Sequence, residues 1–176
     1  MAVTETTAAT TTDERADLLE TLAKHRWFLV HTVQGLTDEQ ARLRPTASAL
    51  TLGGIIKHVT AAERQWSDFL LRGAAAFPPF DESTHARWAA EFVMLPEETL
   101  AGLVAAHAEA ARHTDELVAT LPDLEESHAL PEVPWFTPGA RWSARRALLH
   151  LVAETAQHAG HADILRETID GQKSMG

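Results

Sequence analysis

The sequence predicts an all-α protein, a four-helix bundle with a long crossover between its second and third long helices. Four long segments place apolar residues at steps of three and four, which is the period of an amphipathic helix. No segment has the alternation that indicates a convincing strand. The length of 176 residues suits one domain, which we expect over 13–176. A Thr- and Ala-rich stretch over 1–12 is expected to be a disordered tail.

The first predicted long helix runs from Asp13 to Gln34, and Gly35 ends it. The sequence Thr37-Asp-Glu-Gln40 has the form of a capping box, which predicts a short helical turn next. The second long helix is predicted from Leu52 to Arg72, with Thr51 as its N-cap. These segments account for the first two long helices of the bundle.

A long connection over 73–95 separates the second and third helices, and it is rich in Pro and aromatic residues. Because a tight helical hairpin needs no such length, we expect that these two helices are not simple antiparallel neighbours. The third helix is predicted from Pro96 to Leu121, with Pro at its first position and acidic residues on its positive end. After a loop over 122–142, the fourth helix is predicted from the N-cap Ser143 to Asp170.

The composition excludes several classes of function. The net charge of −10 argues against binding to nucleic acid or to anionic lipid, since both need a basic surface. No membrane span and no signal peptide are visible, so the expected location is the cytoplasm. The chain contains neither Cys nor Tyr. Any metal must therefore be held by nitrogen and oxygen, and a Cys nucleophile is excluded.

Three polar residues lie within the apolar stripes of the second and fourth helices: His58, Glu154 and His158. An ionised Glu facing a core costs several kcal/mol unless it is paired or bound to a cation. His58 alone could be a satisfied core histidine, and Glu154 with His158 could be an ion pair on a half-exposed seam. Together, two imidazoles and one carboxylate form a facial metal-binding set with open coordination positions, as catalytic sites have.

The remaining histidines carry weaker signals. His161 follows His158 by one turn and could be a fourth ligand, a hydrogen-bond partner of a ligand, or an acid/base group in the pocket. His25 and His107 lie near apolar faces and are expected in the core or at an interface. The others have no partner at metal-ligand spacing: His31, His85, His113, His128 and His150. Trp66, Trp135 and Trp142 are expected to be core residues, although the last two could also wall one end of the bundle.

Two segments resemble a known family. Residues 52–66 (LGGIIKHVTAAERQW) resemble the second helix of the DinB-like superfamily of metal-dependent thiol transferases, and residues 154–171 (ETAQHAGHADILRETIDG) resemble its fourth helix. The match to the actinobacterial branch of mycothiol-dependent enzymes is close. The mycothiol-dependent maleylpyruvate isomerases form a related branch. The resemblance implies a four-helix bundle with a long crossover, often dimeric, that binds zinc or nickel between the second and fourth helices.

The resemblance also suggests the ligand set and the reaction. Many members use three histidines, whereas the maleylpyruvate isomerases use His, Glu and His, a pattern that His58, Glu154 and His158 match. The implied reaction transfers a low-molecular-weight thiol, mycothiol in this branch, to a small electrophile. We expect zinc, or else nickel, as the cofactor, a homodimer, and an electrophile pocket near Trp88 and Trp135. The alternatives are a hydrolase or isomerase that uses metal-bound water, and a non-enzymatic metal-binding bundle.

Overall fold

The structure is a computed structural model that describes residues 13–174, so the tail predicted over 1–12 lies outside the described residues. The four predicted long helices are all present. In chain order, the helices are α1 (Glu14–His31), α2 (Asp38–Ala41), α3 (Leu52–Arg72), α4 (Thr84–Glu91), α5 (Leu100–Thr120) and α6 (Ala144–Asp170). The all-α fold class is therefore confirmed, with one small hairpin added to it.

Side-chain caps fix the ends of these helices as the sequence indicates. The hydroxyl of Thr51 accepts a hydrogen bond from the Gly54 amide at the start of α3. Ser143 does the same for α6, which ends at Gly171 in the left-handed conformation. The capping box at Thr37 is also formed, and it starts α2.

The long connection allows α5 to pack beside α3 in a parallel direction. Thr60 faces His107 just before the middle of both helices, and Ser67 lies 2.7 Å from Thr114 two turns further along both. The expectation that these helices are not antiparallel neighbours is therefore confirmed. By contrast, α6 runs antiparallel to α3, since His58 meets Glu154 and the later Trp66 meets the earlier His150.

Four details of the predicted elements are wrong. The first long helix ends at His31 and not at Gln34, because residues 32–35 form a tighter turn. The third long helix begins at Leu100 and not at Pro96, because Thr99 accepts the hydrogen bond of the Gly102 amide and acts as the N-cap. The connection over 73–95 contains the helix α4 and a 3₁₀ turn over Gly73–Ala76. The loop over 122–142 contains part of an antiparallel pair, β1 (Ser127–Ala129) and β2 (Arg141–Ser143), whose strands are too short to show alternation.

The buried apolar side chains form two clusters along the bundle. One contains Trp66, Phe69 and Leu148, and the other contains Leu29 and Ile56 with their neighbours. No helix within residues 13–174 has the length and apolarity needed to cross a bilayer.

An ion pair is buried among the helices. Glu63 on α3 is fully buried and accepts hydrogen bonds from Arg26 on α1, which is also buried. The same guanidinium donates to Asp115 on α5 at 2.9 Å. This cluster ties three helices together and leaves neither buried charge without a partner.

Candidate metal centre

The side chains of His58, Glu154 and His158 converge between α3 and α6. Glu154 Oε1 lies 3.1 Å from His58 Nε2 and 3.2 Å from His158 Nε2. One ligand atom of each residue lies within 4.8 Å of the other two. In tetrahedral zinc sites, bonds of about 2.0–2.2 Å place neighbouring ligand atoms about 3.3 Å apart. The three side chains are therefore placed so that they could share one divalent cation.

Helix geometry explains the convergence. Glu154 and His158 are four residues apart, so they lie on the same face of α6 at successive turns. His58 reaches them from the antiparallel α3. The side chains of His58, Glu154 and His158 are 16%, 23% and 12% exposed, so the cluster is mostly shielded while one edge stays open.

Two glycines at the start of α3 allow the chain after α4 to cover this site. A Cβ atom at Gly54 would lie 1.9 Å from the backbone oxygen of Phe92, and one at Gly53 would lie 2.5 Å from the sulfur of Met94. The close approach brings the Phe92 ring over the His58 ring, with their centroids 3.9 Å apart. The absence of side chains at these glycines therefore helps to position a predicted ligand.

Glu91 also belongs to the site, although no pattern in the sequence points to it. Its carboxylate lies 3.3 Å from His58 Nδ1, the ring nitrogen on the other side from Glu154. A carboxylate in this position fixes the orientation and tautomer of an imidazole whose other nitrogen binds a metal. Glu91 is the last residue of α4, a helix that the sequence did not reveal, so its position beside His58 could not be predicted.

The charges of the site favour a cation. Hydrogen bonds from His158 and His58 hold the pKa of Glu154 well below its usual range, so this group is a carboxylate. Burial alone would lower the pKa of His58, but the hydrogen bonds to Glu154 and Glu91 raise it above its ordinary value. The cavity beside these residues has a volume of about 280 Å³, and in the described part of the chain it is lined by no Lys or Arg. Two carboxylates therefore share this site with histidines and without a Lys or Arg in the lining of the cavity.

The hydrogen-bonding of His58 also fits a bound cation. Both ring nitrogens face a carboxylate, whereas a neutral imidazole has one N–H group to donate. The ring must therefore be either protonated or bound through the Nε2 lone pair to a cation, with Nδ1–H donating to Glu91. The second arrangement is typical of histidine ligands in metalloproteins. The donor set is thus suited to a divalent metal, and the role of the three residues as ligands stays a prediction.

His161 lies beside this cluster and not within it. Its ring centroid is 5.4 Å from that of His158, and it is not among the residues whose ligand atoms converge. Its Nδ1 is buried and has no hydrogen-bond partner within residues 13–174, and the same holds for Nδ1 of His158. The proposed acid/base role of His161 stays a prediction.

His150 has no predicted partner at metal-ligand spacing, yet it lines the cavity together with His58 and Glu154. It lies on α6, four residues before Glu154, and its ring packs edge-on against Trp66 with centroids 4.7 Å apart. Burial lowers the pKa of His150, which favours the neutral imidazole. The shared spacing of 150, 154 and 158 on one helix face was the available signal.

A second cavity, of about 250 Å³, adjoins the first and is mostly aromatic. Trp88 and Trp135 both line it, in agreement with the pocket expected there. Trp135 is 50% exposed, so its assignment to the core is wrong: it lies at the rim, on the loop that precedes β2.

Trp66 is buried as expected, and Trp142, stacked against it, is partly buried. His107 is a buried residue of α5, as predicted, while His25 is partly buried.

Two solved structures are similar to this chain in fold. A conserved protein from Enterococcus faecalis is 17% identical, with a TM-score of 0.65 over 92% of this chain and 100% of that one. The Sibling Lethal Factor precursor DfsB is 15% identical, with a TM-score of 0.64 over 86% of this chain and 94% of that one. At these identities the two structures support the fold alone.

The search of curated protein sequences gives no match. The sequence model of the mycothiol-S-transferase family, however, matches residues 17–171. This match includes both segments that carry the resemblance to mycothiol-dependent transferases, and it confirms that resemblance. Because it spans most of the 176 residues, the chain belongs to the mycothiol-S-transferase family.

Proposed function

We propose that this protein is an enzyme that transfers mycothiol to a small electrophile, in a reaction that depends on a divalent metal. The observation that carries the proposal is the convergence of His58 Nε2, Glu154 Oε1 and His158 Nε2 at the edge of a cavity. Three protein ligands leave a coordination position for a substrate. We propose zinc as the metal, because two His and one Glu form a known catalytic zinc site, with nickel as the second choice.

A bound metal would supply a Lewis acid that lowers the pKa of the mycothiol thiol and favours the thiolate near neutral pH. The chain itself contains no Cys, so the reacting sulfur has to come from the co-substrate. Glu91 holds the His58 ring in place, and the Phe92 ring covers it. His161 is proposed as an acid/base group beside His158. We also propose that the protein is a homodimer located in the cytoplasm. Light scattering, which measures the molar mass in solution, tests the dimer.

The test is consumption of mycothiol with an alkyl halide, an epoxide and an aryl halide, with and without EDTA. We expect activity that EDTA removes and that added zinc or nickel restores. The variants Glu154→Gln and His58→Ala should lose it, while His113→Ala, an exposed position on α5, should keep it. Turnover that is insensitive to EDTA, or that persists without thiol, would overturn the proposal, and the second result would favour a hydrolase or isomerase.

A further inference from the structure

The aromatic cavity next to the site has a composition that selects its ligand. Six aromatic side chains line it: Trp66, Phe77, Phe80, Trp88, Trp135 and Phe136. Their rings meet mostly edge to face, as at Trp88 and Trp135, whose centroids are 5.1 Å apart. Aromatic walls of this kind favour a planar ring that can stack or meet them edge-on.

The cavity also presents little unpaired charge. Of the described residues in its lining, Arg87 carries the one full charge at neutral pH. Its guanidinium donates to Asp81 at 3.0 Å and to the backbone oxygen of Pro79 at 2.9 Å. The hydroxyl of Thr84, also in the lining, accepts a further hydrogen bond from Arg87. Because Arg87 and Thr84 already have partners, few polar side chains of the lining remain for a ligand, chiefly Gln65 and His150. The cavity therefore suits a largely apolar ligand better than a sugar ring that needs many hydrogen bonds.

The size and position of the cavity fit a co-substrate. A dry apolar cavity of about 150 Å³ takes up benzene, so about 250 Å³ accommodates a ring with small substituents. The residues Gln65, Trp66, Trp88 and His150 line both this cavity and the one at the predicted metal ligands. A ring held between the tryptophans is therefore adjacent to the place where the thiol is proposed to react.

We propose that the electrophile of this enzyme is a neutral, electron-poor aromatic compound, bound in the cavity between Trp66, Trp88 and Trp135. This inference rests on the proposed function for its reaction. Electron-poor rings pair well with electron-rich indoles, and the same electron deficiency makes them reactive towards thiolates. With an aryl chloride, the thiolate sulfur forms a bond to the ring carbon, chloride leaves with the electron pair of the broken bond, and the thiol proton passes to water.

The test measures binding without metal or thiol, so that it is independent of the proposed reaction. The full chain is labelled with 5-fluorotryptophan, and its five Trp residues are assigned in ¹⁹F NMR by single Trp→Phe substitutions. The ligand is 1,3-dinitrobenzene, which lacks a leaving group, and nitrocyclohexane is the saturated comparator. We expect saturable shifts at Trp66, Trp88 and Trp135, none at Trp27, and binding of nitrocyclohexane at least about tenfold weaker.

Two matched variants test whether the binding depends on a tryptophan of the cavity. Trp135 and Trp27 are exposed to a similar extent, at 50% and 55%, but Trp27 lies on α1 and is not in the lining. Trp135→Ala should weaken binding of dinitrobenzene about three- to tenfold, and Trp27→Ala should leave it unchanged. Equal binding of the saturated comparator, unsaturable shifts at all five residues, or an equal effect of both variants would overturn the inference.

A kinetic measurement separates this inference from the proposed function. With mycothiol, metal and 1-chloro-2,4-dinitrobenzene, Trp135→Ala should raise KM for the aryl chloride about three- to tenfold. Saturable binding of dinitrobenzene without any conjugation would contradict the proposed transfer and support the aromatic site. Conjugation of aliphatic electrophiles alone, without binding of the ring, would support the transfer and contradict the aromatic site.

Discussion

Gly54 is the position where a single added methyl group should disturb the site most without changing a predicted ligand. A Cβ atom there would lie 1.9 Å from the backbone oxygen of Phe92, and ordinary van der Waals contact begins near 3.4 Å. The Phe92 carbonyl would therefore have to retreat by about 1.5 Å. Phe92 stacks on His58, and the preceding Glu91 contacts the same ring. The displacement is therefore transmitted to the imidazole.

The size of the effect follows from two opposing contributions. Replacing Gly by Ala within a helix adds about 1 kcal/mol to the free energy of unfolding. Overpacking removes about 1–3 kcal/mol, and the upper end applies here because the obstacle is backbone rather than a flexible side chain. The net loss for Gly54→Ala is about 1–2 kcal/mol. For a chain of this size it lowers Tm by about 2–8 °C.

The matched control is Gly160→Ala, in the exposed middle of α6, where a Cβ atom would meet nothing within 4 Å. This variant should raise Tm by about 2–4 °C. Thermal melts followed by circular dichroism, in EDTA, measure both variants, and a zinc titration shows whether Gly54→Ala also weakens metal binding. A Gly54→Ala protein as stable as Gly160→Ala would refute the close approach of the Phe92 segment to α3.

Three further predictions concern charged and titratable side chains. Glu91→Gln should weaken zinc binding about 10–100-fold, as measured with a competing chelator, whereas Glu97→Gln at an exposed position should not; equal affinities would remove Glu91 from the site. Burial, followed by the charge of Arg26, lowers the pKa of His107 to about 4, against about 6.5 when unfolded. The folded state thus binds fewer protons, and this histidine lowers the free energy of unfolding by up to about 3 kcal/mol as the pH falls from 6.5 to 4. Urea unfolding at pH 7.5 and 4.5 should show a smaller difference for His107→Asn than for the native protein, and identical differences would contradict this. Glu63→Ala should cost about 3–5 kcal/mol in urea unfolding, since it leaves the buried Arg26 without its main partner; a loss below about 1 kcal/mol would show that the guanidinium reaches water.

The long helices and most of their ends could be predicted because local signals determine them. Thr51 and Ser143 act as N-caps, and Gly171 ends α6, as the sequence indicates. The positions of His58, Glu154 and His158 could be inferred too, since a polar residue inside an apolar stripe must face the bundle. Antiparallel packing of α3 and α6 then brings the three side chains together.

What the sequence did not reveal depends on contacts between distant segments. Glu91 contacts His58 only because α4 folds over the start of α3, and α4 has too few residues for a clear period. The strands β1 and β2 are three residues each, and their pairing is set by tertiary packing. The rim position of Trp135 depends on the same loop. Such residues need the assembled fold before their role can be seen.

The central claim is that one divalent cation binds to three side chains of α3 and α6. Crystals grown with zinc, with diffraction data collected at the zinc absorption edge, test it most directly. We predict one anomalous peak about 2.0–2.2 Å from His58 Nε2, Glu154 Oε1 and His158 Nε2. A peak elsewhere with these atoms free of metal, or no peak in protein saturated with zinc, would contradict the claim.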